Sequence, residues 1–329
     1  MHILIIGAAG MVGRKLTSAL VAAGQVGGNP IGHLTLADVV TPSAPAGFTG
    51  KVDTLASDLS APGAAAALVT SRPDLIFHLA AIVSGEAEAD FEKGYRINLD
   101  GMRYLLEAIR LEGQREAYRP RLVFTSSIAV FGAPYPEVIE DEFFSTPLTS
   151  YGTQKAICEL LLNDYSRKGF VDGVGIRLPT ISIRPGKPNA AASGFFSNIL
   201  REPLSGQEAV LPVSKDVRHW FASPRAAIGF LTHAAELDTS LLGWRRSLSA
   251  PGLSATVGEE IEALRRVAGD KAVSLIKEVP DETIIKIVAG WPRNFDTKRA
   301  TGLGFKAESS MDEIIRVHIE DELGGKIGG

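Results

Sequence analysis

Cysteine is almost missing from this 329-residue chain, in which Cys158 stands alone. An intrachain disulfide and a cysteine zinc cluster are thereby excluded. No cluster of His, Asp and Glu has the spacing of a metal centre either, so no metal is implied. Excess positive charge is missing too. The 34 Lys and Arg stand against 38 Asp and Glu, a net charge of −4. This argues against the strongly basic face of a nucleic-acid binder, though a single arginine can still hold a small anion. No apolar run approaches the ~18–20 residues that cross a bilayer. Ile3–Ile6 stops at Gly7, and the N-terminus lacks a signal-peptide pattern. Internal repeats and low-complexity tracts are absent. The expectation is a cytoplasmic protein with neither membrane nor nucleic acid as partner.

What is present is 45% hydrophobic residues, enough for one large core or two smaller ones. Short apolar runs at His2–Ile6, His33–Ala37, Leu75–Leu79, Leu122–Thr125 and Val174–Leu178 read as strands buried on both faces. Amphipathic helical patterns lie between them, at Val12–Ala23, Gly63–Val69, Asn98–Glu112 and Ser150–Lys168. This alternation predicts an α/β fold, a parallel sheet covered by helices on both faces. After Leu178 proline and glycine become frequent up to Pro212. Helices are expected at about Pro224–Glu236, Val257–Val267 and Ser310–Glu322, and the Gly-rich tail 324–329 has little to pack. Residues 1–178 are therefore read as one domain and 179–329 as a smaller second region, with about 217–240 returning to the first.

The segment from Gly7 to Gly13 carries glycines at 7, 10 and 13, between the first strand and the first helix. Glycines there let the backbone approach a pyrophosphate, and the helix start offers free N–H groups. A plain glycine turn is the rival reading, but the strand-before, helix-after context favours a dinucleotide. Gly7, Gly10, Met11, Val12 and Gly13 are the candidate cradle. Asp38 ends the second strand, where a carboxylate accepts ribose hydroxyls and repels a 2′-phosphate, so NAD is favoured over NADP. Asp58-Leu59 could reach the adenine, with a helix cap as an equal rival. Leu79, Ala80 and Ala81 are small enough residues at a strand's carboxyl end for a flat cofactor to lie against. His78 reads as a satisfied core histidine.

Tyr151 and Lys155 are four apart on a predicted helix and project together. An ammonium beside a phenol, whose ordinary pKa is about 10, lowers that pKa. The phenol can then accept a proton from a substrate hydroxyl. Upstream, Ser126 and Ser127 end a strand at the same crevice. Turn chemistry is the rival for each serine.

With these pieces in order, the chain resembles an extended short-chain dehydrogenase/reductase, the group that includes nucleotide-sugar epimerases and dehydratases. The matching residues are Gly7–Gly13, Asp38, Asp58-Leu59, His78–Ala81, Asn98 with Gly101, Ser126-Ser127 with Val130-Phe131-Gly132, and Tyr151 with Lys155. They cover about the first 180 residues. The resemblance implies a doubly wound Rossmann fold with a smaller C-terminal substrate domain. It implies Ser127, Tyr151 and Lys155 as catalytic residues, with Lys155 also on the nicotinamide ribose and Asn98 near the cofactor. A helix-start cap is the rival for Asn98. It also implies a homodimer through the two long helices.

Two departures weaken a nucleotide-sugar substrate. Thr180 stands where those epimerases carry Asn after Arg177, and Trp220-Phe221-Ala222-Ser223-Pro224-Arg225-Ala226 stands where they carry an H-V-x-D-x-A stretch. The strings 80–91, Arg218-His219-Trp220 and 291–296 are instead similar to dehydrogenases of four-carbon sugar acids. The implied reaction is NAD-dependent oxidation of the C2 hydroxyl of a short sugar acid such as D-erythronate to its 2-keto acid. An acid substrate needs a cation, ideally a bidentate Arg. Arg184 and Arg218 are candidates, although surface exposure is the commoner state of Arg. Ser84 could bond substrate hydroxyls from the loop after the fourth strand, and Trp220 reads as packing. The alternatives are a nucleotide-sugar epimerase or dehydratase that recycles its NAD, and a non-catalytic NAD-binding sensor.

Overall fold

A computed structural model describes residues 1–186 and 192–328. The chain divides into two compact units: residues 1–130, 149–177 and 228–249 form the first, and 131–148, 178–227 and 250–328 belong to the second.

In the first unit, β1 (His2–Ile6), α1 (Met11–Ala23), β2 (His33–Asp38), β3 (Lys51–Ala56), α2 (Ala64–Val69) and β4 (Leu75–His78) follow in turn. Then come α3 (Ser84–Ala89), a π-helical turn Tyr95–Asp100, α4 (Gly101–Arg115), β5 (Arg121–Ser127), α5 (Ser150–Arg167) and β6 (Asp172–Leu178). With the edge strand Ser247–Ser249 the sheet has seven strands in the order β3-β2-β1-β4-β5-β6-edge. β1 pairs in parallel with β2 (His2 opposite His33) and with β4 (Ile3 opposite Leu75). The order reverses between β1 and β4, which opens a crevice at the carboxyl ends of those strands. Leu4, Ile6, Ile76, Leu122 and Phe124 from the strands pack on Met102, Leu105 and Ile109 of α4 and on Cys158 and Leu162 of α5. The Rossmann architecture expected from the alternation is present.

The second unit holds a three-stranded sheet of Thr180–Ile181, Arg218–Ala222 and Leu253–Thr256. Its core joins Phe195, Phe196, Ile199 and Leu200 of α6 (Gly194–Leu204) to Phe221, and to Val257, Ile261 and Leu264 of α8 (Val257–Ser274). Ile314 and Ile315 of α9 (Met311–Glu322) complete it. Helix α7 (Pro224–Glu236) lies where expected.

The structure departs from the sequence reading at several points. Residues 131–148 belong with the second unit, because Phe131 packs on Phe143 and Phe295, and Ile139 bridges to Phe295. The segment returning to the first unit is 228–249 rather than 217–240, because Arg218–Ala222 is a strand of the small sheet. Helix α6 lies within the proline-rich stretch: its apolar face faces the core, and Pro203 falls one residue before its end, where almost no helix remains for it to break. Helix α8 runs past Val267 and breaks at Gly269, which adopts φ +82°. The glycine tail is tied down, Gly328 N–H donating to the Leu204 carbonyl at 2.9 Å.

Candidate functional site

The glycine loop is shaped by close approach. Gly7 has φ +92°, and a Cβ on it would lie 2.7 Å from Ala80 N; one on Gly13 would lie 2.2 Å from Gly7 O. These two glycines make the turn possible. Gly10 differs, since a Cβ there would meet only Gly7 O at 3.4 Å, so its outer side is open. It stands at the N-cap of α1 with no side-chain cap, and no acidic residue follows in the first turn. The N-terminal N–H groups of α1, at Met11 and Val12, thus meet no carboxylate of their own helix, which suits an anion.

Asp38 closes the other side. Its Oδ2 accepts Ala9 N–H at 2.9 Å and its Oδ1 accepts Val39 N–H at 2.7 Å. Each oxygen keeps lone-pair capacity for a ribose hydroxyl. Leu79 and Ala80 N–H groups both reach the Ile6 carbonyl, at 2.8 and 3.1 Å, and this seats the backbone after β4 against Gly7. Asp58 is held by Ser60 (2.6 Å) and Arg96 (3.2 Å), which pulls its pKa down against the effect of burial. Leu59 is buried.

Asn98 is not the helix-start cap offered as its rival reading. It lies inside the π-helical turn, so it caps no helix. It accepts Ile82 N–H at 2.9 Å and donates to the Ile82 carbonyl at 3.2 Å and to Gln154 Oε1 at 2.7 Å. Both amide protons are used, and the side chain is buried. Its part is to pin the loop that follows Ala81. His78 is a core residue but not a satisfied one. Among the described residues neither ring nitrogen has a hydrogen-bond partner, and burial, then the charge of Lys155, lowers its pKa to about 3.

The catalytic candidates converge within the first unit. Thr149 caps α5 by accepting Gly152 N–H at 3.1 Å, and so fixes the first turn that carries Tyr151. Ser127 ends β5 and acts on the Tyr151 hydroxyl, drawing its pKa down. Ser126 points elsewhere, donating to Glu159 at 2.5 Å. Lys155 Nζ donates to the Thr125 carbonyl at 2.7 Å and lies 5.7 Å from the Tyr151 ring centroid. The expected lowering of the tyrosine does not occur in the protein alone. Burial pushes Tyr151 up to about 12, with Ser127 pulling the other way. Burial brings Lys155 itself down to about 8.

Among the substrate candidates, Ser84 opens α3 rather than lying on a loop. In the second unit, Arg218 is exposed, donating to the Ser254 carbonyl at 3.1 Å and pairing with Glu259 at 3.2 Å. Arg184 is not the surface arginine expected. It is half-buried, its Nη2 donates to Ser193 Oγ at 3.2 Å, and burial and then Arg201 lower its pKa. Thr180 Oγ1 sits 2.6 Å from His219 Nε2, and burial lowers the His219 pKa to about 3. Trp220 packs, as expected, with its N–H on the Ala250 carbonyl. Sequence reasoning missed Arg293, which lines a 480 Å³ cleft with Tyr135, Arg218 and Ser254. Only a lone Arg after Trp291-Pro292 could have signalled it.

A glycine-lined helix start, a carboxylate at the end of β2 and a Ser-Tyr-Lys set in the first unit are the features of a nicotinamide-dependent enzyme of the short-chain type. Residues 3–236 match the NAD dependent epimerase/dehydratase family, and the chain belongs to it. Its cofactor is NAD. The chain is 47% identical over 326 residues to a D-erythronate dehydrogenase of Cupriavidus necator, covering 98% of each chain. It is 44% identical over 323 residues to one of Haemophilus influenzae, covering 98% of this chain and 100% of that one. A solved structure described as a nucleoside-diphosphate-sugar epimerase from Agrobacterium tumefaciens is 70% identical, with a TM-score of 0.98, covering 99% of this chain and 95% of that one. No helix among the described residues is long and apolar enough to cross a membrane.

Proposed function

We propose that this chain is an NAD-dependent dehydrogenase that oxidises the C2 hydroxyl of D-erythronate to the 2-keto acid. The carrying observation is full-length likeness to two D-erythronate dehydrogenases; the intact Ser127, Tyr151 and Lys155 supply the chemistry. Tyr151 takes the hydroxyl proton, Ser127 aligns the substrate oxygen, and Lys155 holds the ribose and tunes Tyr151. NAD+, when bound, supplies the hydride acceptor. Gly7, Gly10, Met11, Val12 and Gly13 cradle its pyrophosphate and Asp38 its adenosine ribose. Asp58 and Leu59 lie by the adenine, and Leu79, Ala80 and Ala81 by the dinucleotide's flat face. Ser84 binds substrate hydroxyls. Arg184, half-buried and without a carboxylate partner among the described residues, is the better cation for the substrate carboxylate, with Arg218 secondary.

The reading includes a cytoplasmic homodimer. Leu111 of α4 and Leu160 of α5 are exposed, at 47% and 70%, on the two long helices that would meet. The second reading, an epimerase, is favoured by the name of the 70% identical structure. It would recycle NAD and release no NADH. Purified protein with NAD+ and a panel of four- to six-carbon aldonic acids separates the two. Steady NADH with D-erythronate is expected. No NADH with any acid, but interconversion of a UDP-sugar, would leave the epimerase standing. A non-catalytic sensor would turn over neither.

A further inference from the structure

Tyr151, Lys155 and Glu159 follow at i, i+4 and i+8 on α5 and so form one stripe. Two of them are hydrogen-bonded to the end of β5: Lys155 donates to the Thr125 carbonyl at 2.7 Å, and Glu159 accepts the Ser126 hydroxyl at 2.5 Å. Ser127, next along the strand, draws the Tyr151 pKa down. Two rungs thus join consecutive strand residues to one helix face. The Glu159 rung has no part in the chemistry above, yet it is the more fully bonded. Glu159 is only 6% exposed. Arg177 on β6 donates Nε to its two oxygens at 2.9 and 3.1 Å and Nη2 to Oε2 at 2.7 Å.

We propose that Glu159 is a positioning residue that keeps the Lys155 ammonium charged and Ser127 in register with Tyr151. Arg177 limits this hold by occupying both carboxylate oxygens. A buried carboxylate without that partner, one turn from an ammonium, would draw Lys155 into a direct ion pair and off Thr125. Bidentate pairing to Arg177 satisfies the carboxylate, so Lys155 senses a nearby negative charge without being captured. Burial lowers Lys155, while Cys158 and then Glu159 raise it, which leaves its charge sensitive to this neighbour near neutral pH. The role in turnover rests on the dehydrogenase reading; the titration of Lys155 does not.

The test is NMR titration of the full chain labelled with 13C at lysine Cε, with the Lys155 signal assigned by its loss in Lys155→Met. In the isosteric Glu159→Gln, the Lys155 pKa should fall by about one unit. In Arg177→Met it should rise by a similar amount, and Glu159→Gln with Arg177→Met should return it below wild type. Arg177→Lys, which keeps the charge, should restore near-wild-type titration. A merely structural clamp would not give shifts of opposite sign. An unchanged Lys155 titration in folded Glu159→Gln overturns the proposal. Should either single variant fail to fold, the double variant decides by the same sign: titration at or above wild type overturns it. If the substrate reading is wrong, these shifts persist while no acid yields NADH, so the two failures are distinguishable.

Discussion

Among single residues, the two kinds of glycine in the cofactor loop make opposite predictions. Gly13→Ala places a Cβ 2.2 Å from Gly7 O, so it should lower the melting temperature and abolish NAD binding together. Gly10→Ala has room in the fold, but on the proposed reading its methyl would meet the pyrophosphate. It should leave the melting temperature unchanged and weaken NAD about tenfold, or 1.4 kcal/mol, by calorimetric titration. Tyr151→Phe should cut kcat by about 10²–10⁴-fold, the usual worth of a general base, while NAD affinity persists. Glu260 is wholly buried in α8 with neither oxygen hydrogen-bonded, and burial raises its pKa well above the ordinary value. The folded chain therefore holds a proton that the unfolded chain releases above pH 4.5. Stability from this group is full below that value and falls as pH rises through the folded pKa. Glu260→Met should accordingly stabilise by about 1–3 kcal/mol at pH 8 and by much less at pH 4. Chemical denaturation at the two pH values checks it.

At the level of elements, caps set where helices begin, and caps are legible. Thr256 and Glu259 form a capping box at the start of α8, at 3.1 and 2.6 Å. Thr256→Ala should cost about 1 kcal/mol, read as a shifted denaturation midpoint. Five strands and four helices of the first unit were legible because apolar runs and helical periodicity alternate, whereas β3, the edge strand Ser247–Ser249 and α3 were not, being half-exposed, three residues long and six residues long. Helix α6 was not, because its Phe195, Phe196, Ile199 and Leu200 sit among glycines and prolines that mask a short period. The π-helical turn at Tyr95–Asp100 was invisible for another reason. Its extra residue per turn is held by the buried Asn98 bonds to Ile82 and Gln154, which are long-range contacts.

For the whole molecule, the proposed dimer makes its own prediction. Wild type should have the mass of two chains by light scattering, and Leu160→Asp that of one, because a charge on that exposed helix face could not be buried without a partner. A two-chain mass for Leu160→Asp would move the interface elsewhere.

The parallel sheet, the glycine loop, the NAD preference and the Ser-Tyr-Lys set are legible along the chain because each shows as a local pattern: apolar alternation, glycines three apart, a carboxylate at a strand end, Tyr151 and Lys155 four apart. Tertiary packing settled what local pattern cannot. It turned Ser126 to Glu159, used both Asn98 amide protons inside the fold, and gave residues 131–148 to the second unit. It also left Arg184 half-buried and Arg218 exposed and paired. Spacing along a chain fixes which face a side chain leaves from, but desolvation and partner choice depend on what distant segments bring to meet it.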